Sequence, residues 1–176
     1  MKKILSVFLL LTLLLTAFAG CKAGDTPETT APSPLADPTE PGEQVFTKNG
    51  LKIQLPDFFT DYSDLPIGQG YSFLYAGPYN GVEGIEEKKA DMPESVTDLA
   101  SYAAHQQAIY GGELTQKDGI WTLVYQDPTQ NETQTYVCAF YETDAGYWSV
   151  KAYCPEDVYA TYEADLWSYV TAVTFE

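Results

Sequence analysis

The 176-residue chain contains no arginine and a single histidine. Proteins that read phosphate or carboxylate groups lean on the bidentate guanidinium fork, so its absence argues against that kind of recognition. Nine lysines stand against 25 acids, a formal net charge of −16. Scattered lysines on so acidic a chain cannot form a nucleic-acid footprint. One histidine, His105, excludes a histidine metal cluster and limits any histidine-based triad to that residue. The spacing HExxH, the Gly-x-Ser-x-Gly elbow and a phosphate-binding glycine loop are all missing. Three cysteines, Cys21, Cys138 and Cys154, are too few for a disulfide scaffold. No apolar run reaches the ~20 residues that span a bilayer comfortably.

What is present begins at the N-terminus. Lys2 and Lys3 precede an apolar run over residues 4–18, followed by Ala19-Gly20-Cys21. A basic head, a short apolar core and small residues before a cleavage point predict a secretory signal peptide over 1–20. The string Phe18-Ala19-Gly20-Cys21 resembles the lipobox of bacterial lipoproteins, with Phe18 in place of the usual leucine. The resemblance implies a diacylglycerol on the Cys21 thiol and cleavage just before it. Two acyl chains on one residue give stable anchoring, where one chain gives only marginal binding. The expected location is the outer face of the cell membrane, in the layout of lipoproteins of single-membrane bacteria. Removing residues 1–20 takes away two lysines and no acid, leaving seven lysines against 25 acids, a balance of −18. That charge works against anionic headgroups, so the lipid itself is the expected membrane contact.

Residues 21–44 are Thr, Pro, Ala, Asp and Glu without hydrophobic periodicity, broken by Pro27, Pro32, Pro34, Pro38 and Pro41. This composition predicts a disordered tether with a reach of at most ~75 Å. Residues 45–176 then read as one domain, long enough for one core. Asn49-Gly50 between two alternating runs, 45–48 and 51–55, is a hairpin signal, because both residues tolerate positive φ. Residues 56–70 read as a long loop carrying Asp57, Phe58, Phe59, Tyr62, Asp61 and Asp64. Strands are expected over 71–76, 82–88, 113–117, 120–126, 133–142 and 147–153, with turns at Asp118-Gly119 and at 143–146. A helix capped by Thr97 places Leu99, Tyr102, Ala103, Gln106, Ile109 and Tyr110 on one face. A second helix, entered at Pro155, carries Val158, Tyr159, Tyr162, Leu166, Tyr169, Val170 and Val173 as its stripe, with Trp167 off it. The strands around Phe73 and Val137 are apolar on both faces, which requires cover on both sides of the sheet. The expected class is α+β: a mostly antiparallel sheet of six to eight strands flanked by two helices.

The element order, the hairpin ending in Leu-Pro-Asp-Phe-Phe, and the run Gly146-Tyr147-Trp148-Ser149-Val150-Lys151-Ala152-Tyr153-Cys154 leading into a last helix that ends Thr171-Ala172-Val173-Thr174-Phe175 resemble the PsbP-like α/β/α sandwich. Small bacterial lipoproteins carry that sandwich. The resemblance implies a binding or assembly factor and no enzyme, and it brings no site residues with it.

Chemistry-bearing residues read as follows. His105 sits at the edge of its helix's apolar face, as a boundary histidine does; a general base is the alternative. Cys138 and Cys154 fall on neighbouring strands, so a disulfide and two small buried hydrophobes are both open, depending on turn length. Asp57, Asp61 and Asp64, and Asp127, Asn131 and Glu132, are oxygen donors suited to Ca²⁺, but neither group has EF-hand spacing; no metal or cofactor is expected. The aromatic excess is 14 Tyr, 8 Phe and 3 Trp. Phe58, Phe59, Tyr62, Tyr79 and Trp167 fit no core stripe and are the candidate binding aromatics. The expected function is a non-catalytic, surface-anchored module that binds another exported protein. The alternative is a glycan- or cell-wall-binding module using the same rings.

Overall fold

The computed structural model describes residues 42–66, 70–128 and 132–176. The expected signal peptide, Cys21, the tether up to Pro41 and Asn131 lie outside the described residues. The described residues belong to one unit, Glu40–Glu176.

Asn49 (φ 47°) and Gly50 (φ 80°) form the first turn, between β1 (Glu43–Lys48) and β2 (Leu51–Pro56). Lys48 pairs with Leu51, as a two-residue hairpin demands. β2 is buried on alternate residues, Leu51, Ile53 and Leu55. The chain continues through β3 (Thr60–Asp61), β4 (Phe73–Ala76) and β5 (Gly81–Lys88), then α1 (Leu99–Tyr110). β6 (Glu113–Lys117), β7 (Ile120–Asp127), β8 (Gln134–Glu142) and β9 (Gly146–Pro155) follow, then α2 (Tyr159–Thr171) and β10 (Thr174–Phe175). The sheet of seven strands runs β3-β4-β5-β9-β8-β7-β6, every neighbour pair antiparallel. The N-terminal hairpin does not join it. β2 pairs with β10 instead, making a separate three-stranded sheet.

The fold has two cores, one on each face of the large sheet. Val137, Ala139, Trp148, Val150, Ala152 and Cys154 meet β2 and α2 residues Leu166, Tyr169 and Val170 on one face. Cys138, Phe140, Tyr147, Leu123 and Tyr125 meet Tyr102 and Ala103 of α1 on the other. β8 and β9 contribute to both, which is why they read as apolar on both faces. The buried phenol of Tyr141 donates to the Val170 carbonyl and ties β8 to the end of α2. Gly84 lies opposite Phe73, whose ring fills the place a Cβ would need, 2.1 Å away.

Three expectations change, and one left open is decided. Asp98, not Thr97, caps α1: its side chain accepts from Ser101 N in a capping box. Ile109 is solvent-exposed, because the last turn of α1 runs past the edge of its core. Pro155 closes β9, and a 3-10 turn, Glu156–Val158, separates it from α2. Cys138 and Cys154 are free thiols. Thr143 N donates to Gly146 O (2.9 Å), so the β8–β9 loop holds two residues, Asp144 and Ala145. That even count pairs Cys138 with Lys151 and Thr135 with Cys154, placing the thiols on opposite faces. A disulfide is sterically excluded.

Burial pushes the Cys138 thiol up to about 12, so little nucleophilic thiolate exists at neutral pH. In the chain carrying Cys21→Ser, iodoacetamide without reductant should label two thiols after denaturation. Under native conditions at pH 8 labelling should proceed only as fast as the protein opens. Recovery of one Cys138–Cys154 disulfide in the mass spectrum would contradict the register.

Candidate functional site

Three segments converge at the end of the large sheet where β2 leaves the small one. Phe59 N donates to Pro56 O (3.1 Å), a turn that aims Phe58 and Phe59 in different directions. Phe59 enters the core and meets the Tyr169 ring edge-on, centroids 5.5 Å apart. Phe58 stacks on Phe59 from outside (5.1 Å) and stays 40% exposed. The second segment is the β4–β5 turn, closed by Gly77 N to Asn80 O (2.8 Å). It projects Tyr79, 64% exposed, and turns Asn80 inward. The third is α2, where Tyr162, Asp165 and Tyr169 lie on one face by their spacing of three and four residues.

Together with Pro56 and Pro78 these side chains line a groove of about 370 Å³, within the usual range for small-ligand pockets. The Tyr79 and Tyr162 rings lie near-parallel, 6.3 Å apart. The Asn80 side chain lies close to the Tyr169 phenol. Its Oδ1 is buried without a hydrogen-bond partner among the described residues. A buried acceptor left unsatisfied costs about 1–3 kcal/mol, so such atoms point to strain or to an absent partner. Burial, then the Asp165 carboxylate nearby, pushes the Tyr169 phenol up to about 12. Asp165 is exposed, and no ion pair among the described residues includes it. Among the described residues no lysine lines the groove.

Of the five aromatics expected to bind, Phe58 and Tyr79 meet in this groove. Phe59 is buried beneath it at 3% exposure and is a packing residue, a correction that follows from its core contacts. Tyr62 sits elsewhere, its backbone bonded to Leu74. Trp167 packs against the core of α2, with Lys117 Nζ 5.6 Å from its ring centroid. The sequence reading missed Tyr162, Tyr169, Asn80 and Asp165. The available signal was tyrosine, not an aliphatic residue, at two stripe positions, since a phenol in a core needs a polar outlet.

A second polar cluster lies on the α1 face. Lys151 and Glu83 are buried, 3.7 Å apart. Lys151 Nζ reaches the Tyr110 hydroxyl (3.2 Å) and stands 4.2 Å from the centre of that ring. Burial, then the Glu83 carboxylate nearby, raises the Tyr71 phenol above its ordinary value. Tyr110, Tyr125, Tyr136 and Tyr153 stack in a row across the strands beside it, at 4.9–5.1 Å. This cluster satisfies itself and reads as a structural cross-tie between β5 and β9. Glu87 likewise accepts from Tyr102 (2.6 Å) and Gln106 (2.8 Å), fastening α1 to the sheet. His105 is half-buried on α1. Among the described residues no three His, Cys, Asp or Glu side chains group to hold a metal ion; Asp61, for one, accepts from Ser63 N (2.8 Å).

No protein-family model matches the sequence, and no curated protein sequence matches it. Solved structures do match. The cyanobacterial PsbP protein, CyanoP, of Synechocystis sp. PCC 6803 aligns over 76% of this chain and 92% of its own, at TM-score 0.53 and 9% identity. The fold is PsbP-like. The Ran-binding protein Mog1p of Saccharomyces cerevisiae aligns over 77% of this chain and 96% of its own (TM-score 0.53, 10% identity). A Bacteroides thetaiotaomicron VPI-5482 protein aligns over 78% of this chain but 49% of its own (TM-score 0.52, 11% identity). At these identities the likeness concerns the PsbP-like fold alone.

Two variants separate groove from scaffold. Tyr79→Ser should leave urea-unfolding stability within about 0.5 kcal/mol, as surface substitutions do, while Phe59→Ala should cost about 3–5 kcal/mol. A large loss in Tyr79→Ser would make that ring structural. A third variant tests the cross-tie. Burial is the largest influence on Glu83 and raises its carboxyl above the ordinary value. Lys151→Met removes the compensating charge and should cost about 3–5 kcal/mol at pH 8. A carboxyl raised in the folded state is fully tolerated below its unfolded value, and stability is lost as pH rises through the folded one. The deficit should therefore shrink between pH 8 and pH 4, and adding Glu83→Gln should recover much of it at pH 8. A deficit independent of pH would show that Glu83 is not the cause.

Proposed function

We propose that the protein is a bacterial lipoprotein, held through Cys21-linked lipid on the outer face of the cell membrane, whose α+β domain binds another exported protein and catalyses no reaction. The observation that carries the binding role is the groove formed by the exposed rings of Phe58 and Tyr79 and the half-buried ring of Tyr162. Large exposed aromatics beside a buried aromatic support are what protein hot spots are made of, and rigid rings lose little entropy on contact. The PsbP-like fold is compatible with this, since a protein of similar fold is a Ran-binding protein; fold analogy alone is a weak warrant. The anchor rests on residues 1–21 of the sequence. Among the described residues no helix is long and apolar enough to cross a membrane.

The competing reading is a glycan. The same rings present faces on which a sugar can stack, with Asp165 and Asn80 as hydrogen-bond acceptors. Crosslinking on intact cells separates the two when wild type is compared with Phe58→Ala/Tyr79→Ala. Loss of a discrete protein adduct in the variant supports the protein-binding role. Loss of retention on isolated cell-wall polysaccharide, with the adduct intact, supports the glycan. If neither changes, the groove is not the binding surface. For the anchor, Cys21→Ser should move the protein from the membrane fraction to the medium, and the intact mass of wild type should begin at a diacylglyceryl-modified Cys21. A mass beginning elsewhere rejects lipidation.

A further inference from the structure

The groove's chemistry is lopsided. Its walls are ring faces. Among the described residues its one charged lining group is the Asp165 carboxylate, which no ion pair engages, and its buried polar atom without a partner, Asn80 Oδ1, is an acceptor. Asn80 is 6% exposed, so that oxygen is largely withdrawn from bulk solvent. The site thus asks for a cation that also donates hydrogen bonds and lies flat on aromatic rings. It disfavours phosphate and acidic sugars, which Asp165 repels. It disfavours a quaternary ammonium, which has no N–H for Asn80. A lysine ammonium is a strongly hydrated point charge, whereas a guanidinium is planar, weakly hydrated, stacks on rings and carries five N–H donors. The chain itself contains no arginine, so no part of it supplies that group, and a mature balance of −18 draws a basic partner towards the domain.

We propose that the groove receives an arginine side chain from the partner protein, its guanidinium stacked on Tyr79 and Tyr162, with N–H groups donated to Asp165 and to Asn80 Oδ1. This rests on the protein-binding role proposed above and names the chemistry that role uses. The Phe58 ring edge crowds Gly77 beside Asn80 Oδ1: both sit within 3 Å of the place a Gly77 Cβ would occupy. For an N–H to reach that oxygen the Phe58 ring must turn outward, which its 40% exposure permits.

The probe is N-acetyl-arginine amide, titrated into the full chain carrying Cys21→Ser and followed by amide NMR shifts. The expected result is saturable shifts centred on Tyr79, Asn80 and Asp165. Binding should fall about tenfold in Tyr79→Ala, the scale of a cation–π contact, and should lose most of its salt dependence in Asp165→Asn. Both residues are exposed, so the variants should keep the wild-type spectrum elsewhere. N-acetyl-citrulline amide, the uncharged isostere, should bind at least tenfold more weakly. Equal binding of citrulline, tighter binding of choline, or no arginine-dependent shift at the groove overturns the proposal. The protein-binding role fails separately: if Phe58→Ala/Tyr79→Ala loses the cell-surface adduct while the arginine probe leaves the groove unshifted, binding stands and arginine recognition falls. If arginine binds but the adduct is unaffected by the double variant, the groove takes arginine without being the partner's contact.

Discussion

Asp144 and Ala145, the two residues of the β8–β9 turn, set the face occupied by every side chain of the two central strands. With Glu142 opposite Tyr147, Trp148, Val150, Ala152 and Cys154 of β9 turn towards α2 and the small sheet, while Tyr147, Ser149 and Lys151 turn towards α1. A slip of one residue would exchange the two sets and send Lys151 into the core that now holds Trp148. Pairing of β9 with β5 carries the same parity outward, placing Lys151 beside Glu83. The two cores, the buried ion pair and the separation of the thiols all depend on that one register.

The groove is the outer end of the α2-side core. Phe59 and Tyr169 close that core edge to face, and the residues next to them in sequence or on the helix, Phe58 and Tyr162, are left at the surface. A rigid interior therefore positions the exposed rings, as a site with preorganised contacts requires. The oxygen of Asn80 is the atom of this arrangement left buried without a hydrogen-bond partner among the described residues, a cost in folding that a ligand donor would remove.

Charge is distributed with the same economy. The buried lysine, Lys151, is held by a carboxylate, a phenol and a ring face, each compensating part of its lost hydration. Lys52 pairs with Glu176 and Lys89 with Glu142 at the surface, where such pairs contribute little. The acid excess of the full sequence, 25 acids against nine lysines, works against contact with an anionic surface.

Local signals were enough for the hairpin at Asn49-Gly50, the turn at Asp118-Gly119, both helices and the two-sided burial of β8, because positive-φ turns and periodicity act over a few residues. The α+β class followed from them. The sequence by itself also determined the charge, the absence of arginine and the lipobox-like start. Only the tertiary structure decided that the N-terminal hairpin pairs with β10 across more than a hundred residues, since nothing local distinguishes one exposed strand edge from another. It alone decided that Cys138 and Cys154 face away from each other, because the turn closes over two residues, a parity the sequence left open. It alone assembled the groove. Phe58, Tyr79, Asn80 and Tyr162 lie on three separate segments, and whether a ring caps a core or stands at its rim depends on packing partners that no spacing along the chain encodes.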